Sequence, residues 1–272
     1  MAGLLANPLA KLDAELLAIW LRRETAARPT RAALAYRLLR AFLNRCAEHA
    51  EYGPIVDKDA IRARKVRDKL ARPKAKADAL QREQIAPWFS AVLSEPNLVV
   101  AAYLQSLLLT GARPEEWMQL RWADVDFRWR TVSIRDKVEG QRSIPLTPYV
   151  ENLLSSLPRT NEWLFSSVSS KSGRLQDPRH NHARAVKRAN LPHLTLHGLR
   201  RSFGSLSEWV ECPVGVVAQL QGHKPSATVE KHYRVRPMDL LRGWHEKIER
   251  WIVLEASSER LRKQLRRPQL AA

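Results

Sequence analysis

The chain has 272 residues, 44% of them hydrophobic, and 46 lysines and arginines stand against 28 aspartates and glutamates. The hydrophobic content argues against a wholly disordered chain, and the net charge of +18 indicates a polyanionic partner, most commonly nucleic acid, rather than a merely soluble basic surface. Cys46 and Cys212 form neither a CxxC pair nor a Cys/His cluster, which predicts core residues in a reducing cytoplasm and no zinc site. No basic segment precedes the first apolar stretch, so the sequence predicts no signal peptide. It contains no uninterrupted run of about 18 apolar residues, so it predicts no membrane span.

Residues 12 to 50 carry helical periodicity. LDAELLAIWLRR repeats apolar residues three and four positions apart. Thr30 is a predicted N-cap for a second helix. Its apolar stripe comprises Leu34, Leu38, Leu39, Phe42 and Leu43.

The stretch IRARKVRDKLARPKAKADAL, residues 61 to 80, is strongly basic. Positions 61 to 76 hold eight basic residues and one acid, and Pro73 interrupts any helix. We interpret this stretch as a basic linker between two domains, of which residues 71–80 belong to neither domain. The linker is either a solvated loop or a segment that lies on phosphates. The candidate DNA contacts are Arg62, Arg64, Lys65, Arg67, Lys69, Arg72, Lys74 and Lys76.

The remaining chain predicts a mainly α fold with a small antiparallel β-sheet (α+β). Two helical stretches, Gln81 to Leu93 and Leu98 to Leu109, precede two strands at about 131 to 136 and 142 to 146 around a Glu-Gly turn. Further helical patterns lie near Pro148, at 178 to 189, 196 to 210 and 213 to 221, and after Pro237. A basic tail at 256–272 follows an apolar stripe that suits a closing helix.

Several short segments hold residue types suited to phosphate chemistry. An arginine lies between a helix-ending glycine and a proline, a lysine lies on the hairpin, and a histidine and arginine share a helix face at i and i+3 behind Thr195, a possible N-cap. A histidine follows a glycine, and a tyrosine precedes the last helix. Taken singly, each has an ordinary explanation as a surface or packing residue. The residues are Arg113, Lys137, His197, Arg200, His223 and Tyr233.

Together and in this order, the segments resemble the tyrosine recombinases, the phage-integrase family. TGARPEE, followed by LRWADVDF, matches the family's first arginine segment, and DKVEGQRSIPL matches its lysine hairpin, with Lys137 five positions before Arg142. HGLRRSF supplies the HxxR motif, and QGHKPSATVEKHY supplies the GH motif and the tyrosine. The resemblance covers about residues 80 to 255. It implies a catalytic domain at 81–255 preceded by a partial helical core-binding domain at 1–70.

Three positions depart from the family pattern. Gly198 stands where an acid is usual, Ser202 where threonine is common, and Gln221 where leucine is usual. None of these changes removes a catalytic group. The segment before residue 70 resembles only the last part of a core-binding domain.

The resemblance implies strand cleavage by Tyr233 through a 3′-phosphotyrosine. Arg113 and Arg200 would bind the non-bridging oxygens, with His223 as a further donor. Lys137 would protonate the leaving 5′ oxygen, and His197 would accept the tyrosine proton. No metal or other cofactor is implied. Arg201 is assigned to a backbone phosphate or to solvent, and His232 to a minor role at most.

The implied function is that of a site-specific DNA recombinase or integrase of a prophage or genomic island, in the bacterial cytoplasm and associated with the nucleoid. Its partners would be double-stranded DNA, three further copies in a homotetramer with C-terminal exchange, and accessory DNA-bending or directionality factors. Two alternatives stay open. One is a truncated remnant that binds DNA without recombining it, and the other is a type IB topoisomerase, which shares the chemistry.

Overall fold

The computed structural model describes residues 4, 6–70, 77–136, 140–223 and 236–257. The chain divides into two compact units, residues 1–76 and 77–272. Both units are built mainly from helices, and the second also holds a small antiparallel sheet, which confirms the predicted fold class. Within the described ranges, no helix is long and apolar enough to cross a membrane.

The first unit is a helical cluster of α1 (Ala14–Ala27), α2 (Pro29–Ala47) and the short α3 (Arg64–Arg67). Asp13 caps α1 by accepting the Leu16 backbone N–H at 2.8 Å. The prediction of Thr30 as a cap is wrong, because α2 already begins at Pro29 and Thr30 lies inside its first turn. A proline is favoured at this first position, since its missing N–H would have no helical partner.

Only part of the predicted stripe on α2 is buried. Leu39 and Leu43 face the core, whereas Leu34, Leu38 and Phe42 are each about half exposed on another face. The helix buries smaller or more polar residues beside those two leucines, namely Ala32, Tyr36 and Cys46. Tyr36 reaches across the unit, and its hydroxyl donates to the Ile61 carbonyl at 2.8 Å.

The first part of the basic segment belongs to the folded unit rather than to a free linker. Ile61 and Val66 are each 1% exposed in the core of the first unit. Their burial leaves the intervening cations on the surface, where Lys65 pairs with Glu15 at 2.9 Å. Residues 71–76, which include Arg72, Lys74 and Lys76, lie outside the described residues.

At the centre of the second unit lies helix α5 (Leu98–Thr110), which is buried along almost its whole length from Val100 to Thr110. A helix that is apolar on all sides is expected at the centre of a domain. The other helices of the unit are α4 (Ile85–Leu93), α6 (Pro114–Met118), α7 (Pro148–Ser155), α8 (Arg179–Arg188), α9 (Leu196–Leu206), α10 (Val214–Gln221) and α11 (Met238–Ala256).

The sheet has the order β1 (Val125–Asp126), β2 (Thr131–Asp136) and β3 (Gly140–Pro145), all antiparallel. These bounds confirm the predicted hairpin. Val132 pairs with Ile144, and Ile134 pairs with Arg142. The aliphatic members of both pairs are buried, so this face of the sheet points into the domain.

Helix α11 closes the second unit. Leu241, Ile248 and Ile252 of the predicted stripe are at most 2% exposed in the core, while Leu240 is 47% exposed. The helix therefore packs against its own domain through one face.

Candidate active site

Arg200 lies where two helices end. Its Nη1 donates to the Gly111 carbonyl at 2.7 Å and to the Gln221 carbonyl at 2.8 Å, at the C-termini of α5 and α10. The last carbonyls of a helix lack helical partners and carry partial negative charge, which favours a cation. Arg200 is only 8% exposed. Burial, and then the charges of Arg113 and Arg142, lower the pKa of Arg200 to about 10.

Both helix ends depend on glycine. Gly111 and Gly222 are the C-caps of α5 and α10, with φ of +60° and +67° in the left-handed region. Space is also short, because a Cβ on Gly111 would lie 2.5 Å from a ring carbon of Phe203 on α9. This close approach brings α5 against the helix that carries Arg200.

Arg113 is the N-cap residue of α6 and is held from two sides. Its Nη1 donates to Glu116 Oε1 at 2.8 Å, and its Nη2 donates to the Gly222 carbonyl at 2.9 Å. The first contact spans one helical turn, and the second joins the start of α6 to the end of α10. The guanidinium remains about one-third exposed, so a ligand can reach it.

Arg142 on β3 joins the same cluster, although the hairpin motif predicts no role for it. Its Nη2 donates to Glu116 Oε2 at 2.8 Å, so one carboxylate holds two arginines. The signal was present in the sequence. Arg142 stands two positions before the buried Ile144, and residues two apart on a strand share a face.

His223 follows the Gly222 cap, and its backbone N–H donates to the Ala218 carbonyl at 2.8 Å. The residue is exposed. Partial burial of the imidazole, and then the charges of Arg200, Arg113 and Arg142, lower the pKa of His223. The ring is therefore neutral over more of the pH range than a free histidine.

The structure brings Arg113, Arg200 and His223 together, since the two arginines donate to the Gly222 and Gln221 carbonyls just before His223. His197 lies one turn before Arg200 on α9 and is exposed, beside a cavity of about 720 Å³ that Leu194 and His182 also line. Lys137 and Tyr233 lie outside the described residues, so their predicted roles stay predictions.

Asp78 supplies a carboxylate at the start of α9, where Gly198 departs from the family pattern. Thr195 caps this helix, as predicted, by accepting the Gly198 N–H at 2.9 Å. The Thr195 hydroxyl donates to Asp78 Oδ2 at 2.6 Å, and Arg201 donates to Oδ1. A Cβ at position 198 would lie only 2.7 Å from the Asp78 carbonyl oxygen, so glycine makes room for this segment.

Arg201 forms an ion pair with the Asp78 carboxylate. Burial alone would raise the pKa of Asp78, but hydrogen bonds from Thr195 and Arg201 outweigh it and lower that pKa. The carboxylate is therefore ionised near neutral pH. The predicted contact of Arg201 with DNA stays a prediction and would have to coexist with this ion pair.

The other two departures also make internal contacts. The buried Ser202 hydroxyl accepts the Leu80 N–H and donates to the Gly198 carbonyl, both at 2.8 Å. The Gln221 amide donates to the Arg200 backbone carbonyl at 2.8 Å. These hydrogen bonds fix α9 against its neighbours from both sides.

The candidate DNA-contacting cations of the first unit differ in their partners. Arg64 lies 3.6 Å from Asp68 and Lys65 lies 2.9 Å from Glu15, while Arg62 donates to the Asn44 side chain at 3.3 Å. Arg67 and Lys69 are exposed, and within the described part of the chain they have no ion pair.

The model of the phage integrase family matches residues 80–238, and that of the phage integrase core-binding domain matches residues 1–68. The chain belongs to the phage integrase family. Prophage integrase IntF of Escherichia coli K12 is 53% identical to it over 264 residues, which cover 94% of the chain and 56% of that relative. The chain thus spans a little over half the length of this integrase.

Two solved integrase structures share the fold. The Tn1549 transposon integrase (residues 82–397) in complex with circular intermediate DNA has a TM-score of 0.66 at 18% identity, with 88% of the chain and 86% of that structure covered. A λ integrase dimer bound to a COC′ core site has a TM-score of 0.64 at 18% identity, with 80% and 81% covered. At this identity the likeness establishes the fold.

Proposed function

We propose that the protein is a site-specific DNA recombinase that cuts and rejoins strands through a 3′-phosphotyrosine intermediate. One observation carries the proposal: Arg113 and Arg142 share the carboxylate of Glu116, and Arg200 and His223 lie close enough to this group for their charges to interact with it. The three arginines and Glu116 together carry a net charge of +2. Such a site suits a phosphodiester whose non-bridging oxygens gain charge in the transition state.

The proposed chemistry assigns a role to each motif. The Tyr233 oxygen attacks phosphorus and gives its proton to His197, while the bond to the 5′ oxygen breaks and Lys137 protonates that oxygen. Arg113, Arg200 and His223 hold the non-bridging oxygens, because arginine keeps its charge and donates in a planar fork. A 5′ hydroxyl from a second strand then attacks the phosphotyrosine and releases Tyr233.

We further propose integration and excision of a prophage or genomic island as the biological setting. The similarity to a prophage integrase supports this use. The proposed assembly is a homotetramer with C-terminal exchange. The chain shares its fold, with a TM-score of 0.64, with a λ integrase that forms a tetramer on a Holliday junction, and this likeness supports the proposal. Accessory DNA-bending or directionality factors and association with the nucleoid belong to the same proposal.

The test is covalent trapping on a nicked suicide duplex that carries the attachment core. The sequence of this core is obtained by sequencing the junctions of the excised element. The wild-type chain should form a complex that survives denaturation, and Tyr233→Phe should form none while its DNA affinity stays close to wild type. No trapping by a folded, DNA-binding wild-type chain would favour the binding-only alternative. Relaxation of supercoiled plasmid without partner DNA would instead favour a topoisomerase.

A further inference from the structure

Arg142 is held in a position where a charged side chain needs a specific reason to be. It belongs to the inward face of the hairpin, opposite the buried Ile134, and its side chain is only 14% exposed. A charged group withdrawn from water is costly unless it is paired. Glu116 provides that pairing at 2.8 Å from the first turn of α6.

The pairing couples Arg142 to Arg113. Glu116 accepts Arg113 through Oε1 and Arg142 through Oε2, each at 2.8 Å, and the carboxylate is itself mostly buried. A carboxylate held by two guanidinium groups has little freedom to rotate. The orientation of Arg113 therefore depends on Arg142 occupying the second oxygen.

Arg142 also lies against the turn that leads to His223. A Cβ on Gly222 would lie 2.6 Å from Arg142 Nε and 2.7 Å from Cζ, so the guanidinium lies against the glycine itself. The same Gly222 accepts Arg113 through its carbonyl. Arg142 thus contacts both the residue that orients Arg113 and the residue before His223.

We propose that Arg142 is a positioning residue of the active site, which orients Arg113 through Glu116 and supports the His223 turn through Gly222. The inference rests on the proposed recombinase function. Its charge also acts on the site, since Arg142 contributes to the lowered pKa of both Arg200 and His223. The competing view is an ion pair that stabilises the hairpin alone.

The test compares Arg142→Met with Arg135→Met in the full chain. Arg135 lies on the same hairpin and pairs with Asp124 at 3.3 Å, so each variant removes one arginine and leaves one carboxylate behind. On the suicide duplex, Arg142→Met should form the covalent complex about 10- to 100-fold more slowly, as misplacement of catalytic groups does, at unchanged DNA affinity. Arg135→Met should match the wild type, and equal rates for both variants would overturn the proposal.

A second readout follows His223 directly by NMR titration of its imidazole. Among the described residues, the charged groups that act on it are Arg113, Arg142 and Arg200. Losing one positive charge favours the protonated ring, so Arg142→Met should raise the pKa of His223, whereas Arg135→Met should leave it unchanged. An unchanged value in both variants would count against the proposal.

Folding and function are kept apart by two further controls. If Arg142→Met melts at a lower temperature than the wild type, it is replaced by Arg142→Gln, which retains a hydrogen-bond donor for Glu116. If both variants fail to fold, Arg142 is structural and the proposal is overturned. If the wild-type chain forms no covalent complex, the recombinase function fails, and the His223 titration still tests whether Arg142 acts on His223.

Discussion

Asp78 illustrates how a site residue can be supplied from a distant part of the chain. It precedes α9 by more than a hundred residues, yet it binds the Thr195 cap and Arg201 at the start of that helix. Because α9 also carries His197 and Arg200, this carboxylate fixes the position of two predicted catalytic side chains.

Asp78→Asn should lower the free energy of unfolding by about 1 to 3 kcal/mol, the usual cost of disrupting hydrogen bonds to a charged group. The amide nitrogen would face either the Thr195 hydroxyl or the Arg201 guanidinium, both of which donate to the carboxylate. Urea denaturation measures the loss. Asp177→Asn is the matched control, since Asp177 pairs with Arg179 at 2.7 Å on the surface, and an equal effect of the two changes would contradict the prediction.

The residues of the candidate site fall into those that the sequence could predict and those that it could not. Arg113, Arg200 and His223 stand in motifs with fixed local spacing, because Arg113 and His223 follow helix-ending glycines and Arg200 lies one helical turn after His197. Asp78 and Arg142 act through partners far along the chain, and no local pattern announces those pairings. The inward position of Arg142 could have been inferred from strand alternation, but its partner Glu116 could not.

At the scale of helices and strands, α7 begins with a cap from another helix. Glu249 on α11 accepts the backbone N–H groups of Tyr149 and Val150 at 2.9 and 3.1 Å, and the Thr147 hydroxyl donates to it as well. The first N–H groups of a helix lack partners within it, and a carboxylate also interacts favourably with the helix dipole. Glu249 therefore joins the closing helix to the helix that follows the hairpin.

Glu249→Gln should destabilise the second unit by about 1 to 3 kcal/mol, because a buried amide cannot accept all three hydrogen bonds. Burial raises the pKa of Glu249, and the three hydrogen bonds oppose that rise. Glu246→Gln is the control on the same helix. Glu246 is 31% exposed and lies 3.6 Å from Arg130, so its loss should cost at most about 1 kcal/mol. Equal urea midpoints for the two variants would refute the capping role.

Element type was more predictable than which face of an element is buried. The hairpin and the later helices follow alternation and helical periodicity, and the structure has them where these patterns place them. On α2, however, only some of the predicted apolar positions are buried, and the buried face also carries Tyr36, whose hydroxyl donates to the Ile61 carbonyl. Such a long-range contact is not encoded in the spacing of the leucines.

At the scale of the whole molecule, the charge of +18 is the property most directly tied to the proposed partner. Lysines and arginines that meet phosphates release counterions from DNA, and the observed affinity then falls as salt rises. Several such contacts should lower the affinity by orders of magnitude between about 50 and 200 mM salt. Fluorescence anisotropy with a labelled duplex measures this dependence, and a flat response would contradict DNA binding.

The salt dependence can be traced to the first unit by a matched pair of double variants. Arg67→Gln with Lys69→Gln removes two exposed cations, and if both meet phosphates the slope of log K against log salt should become less negative by about 1.8. Arg64→Gln with Lys65→Gln removes the same charge from the same segment, but Asp68 and Glu15 already neutralise those cations in part. Its effect should be smaller, and equal slopes in the two pairs would show that the segment contributes only through its total charge.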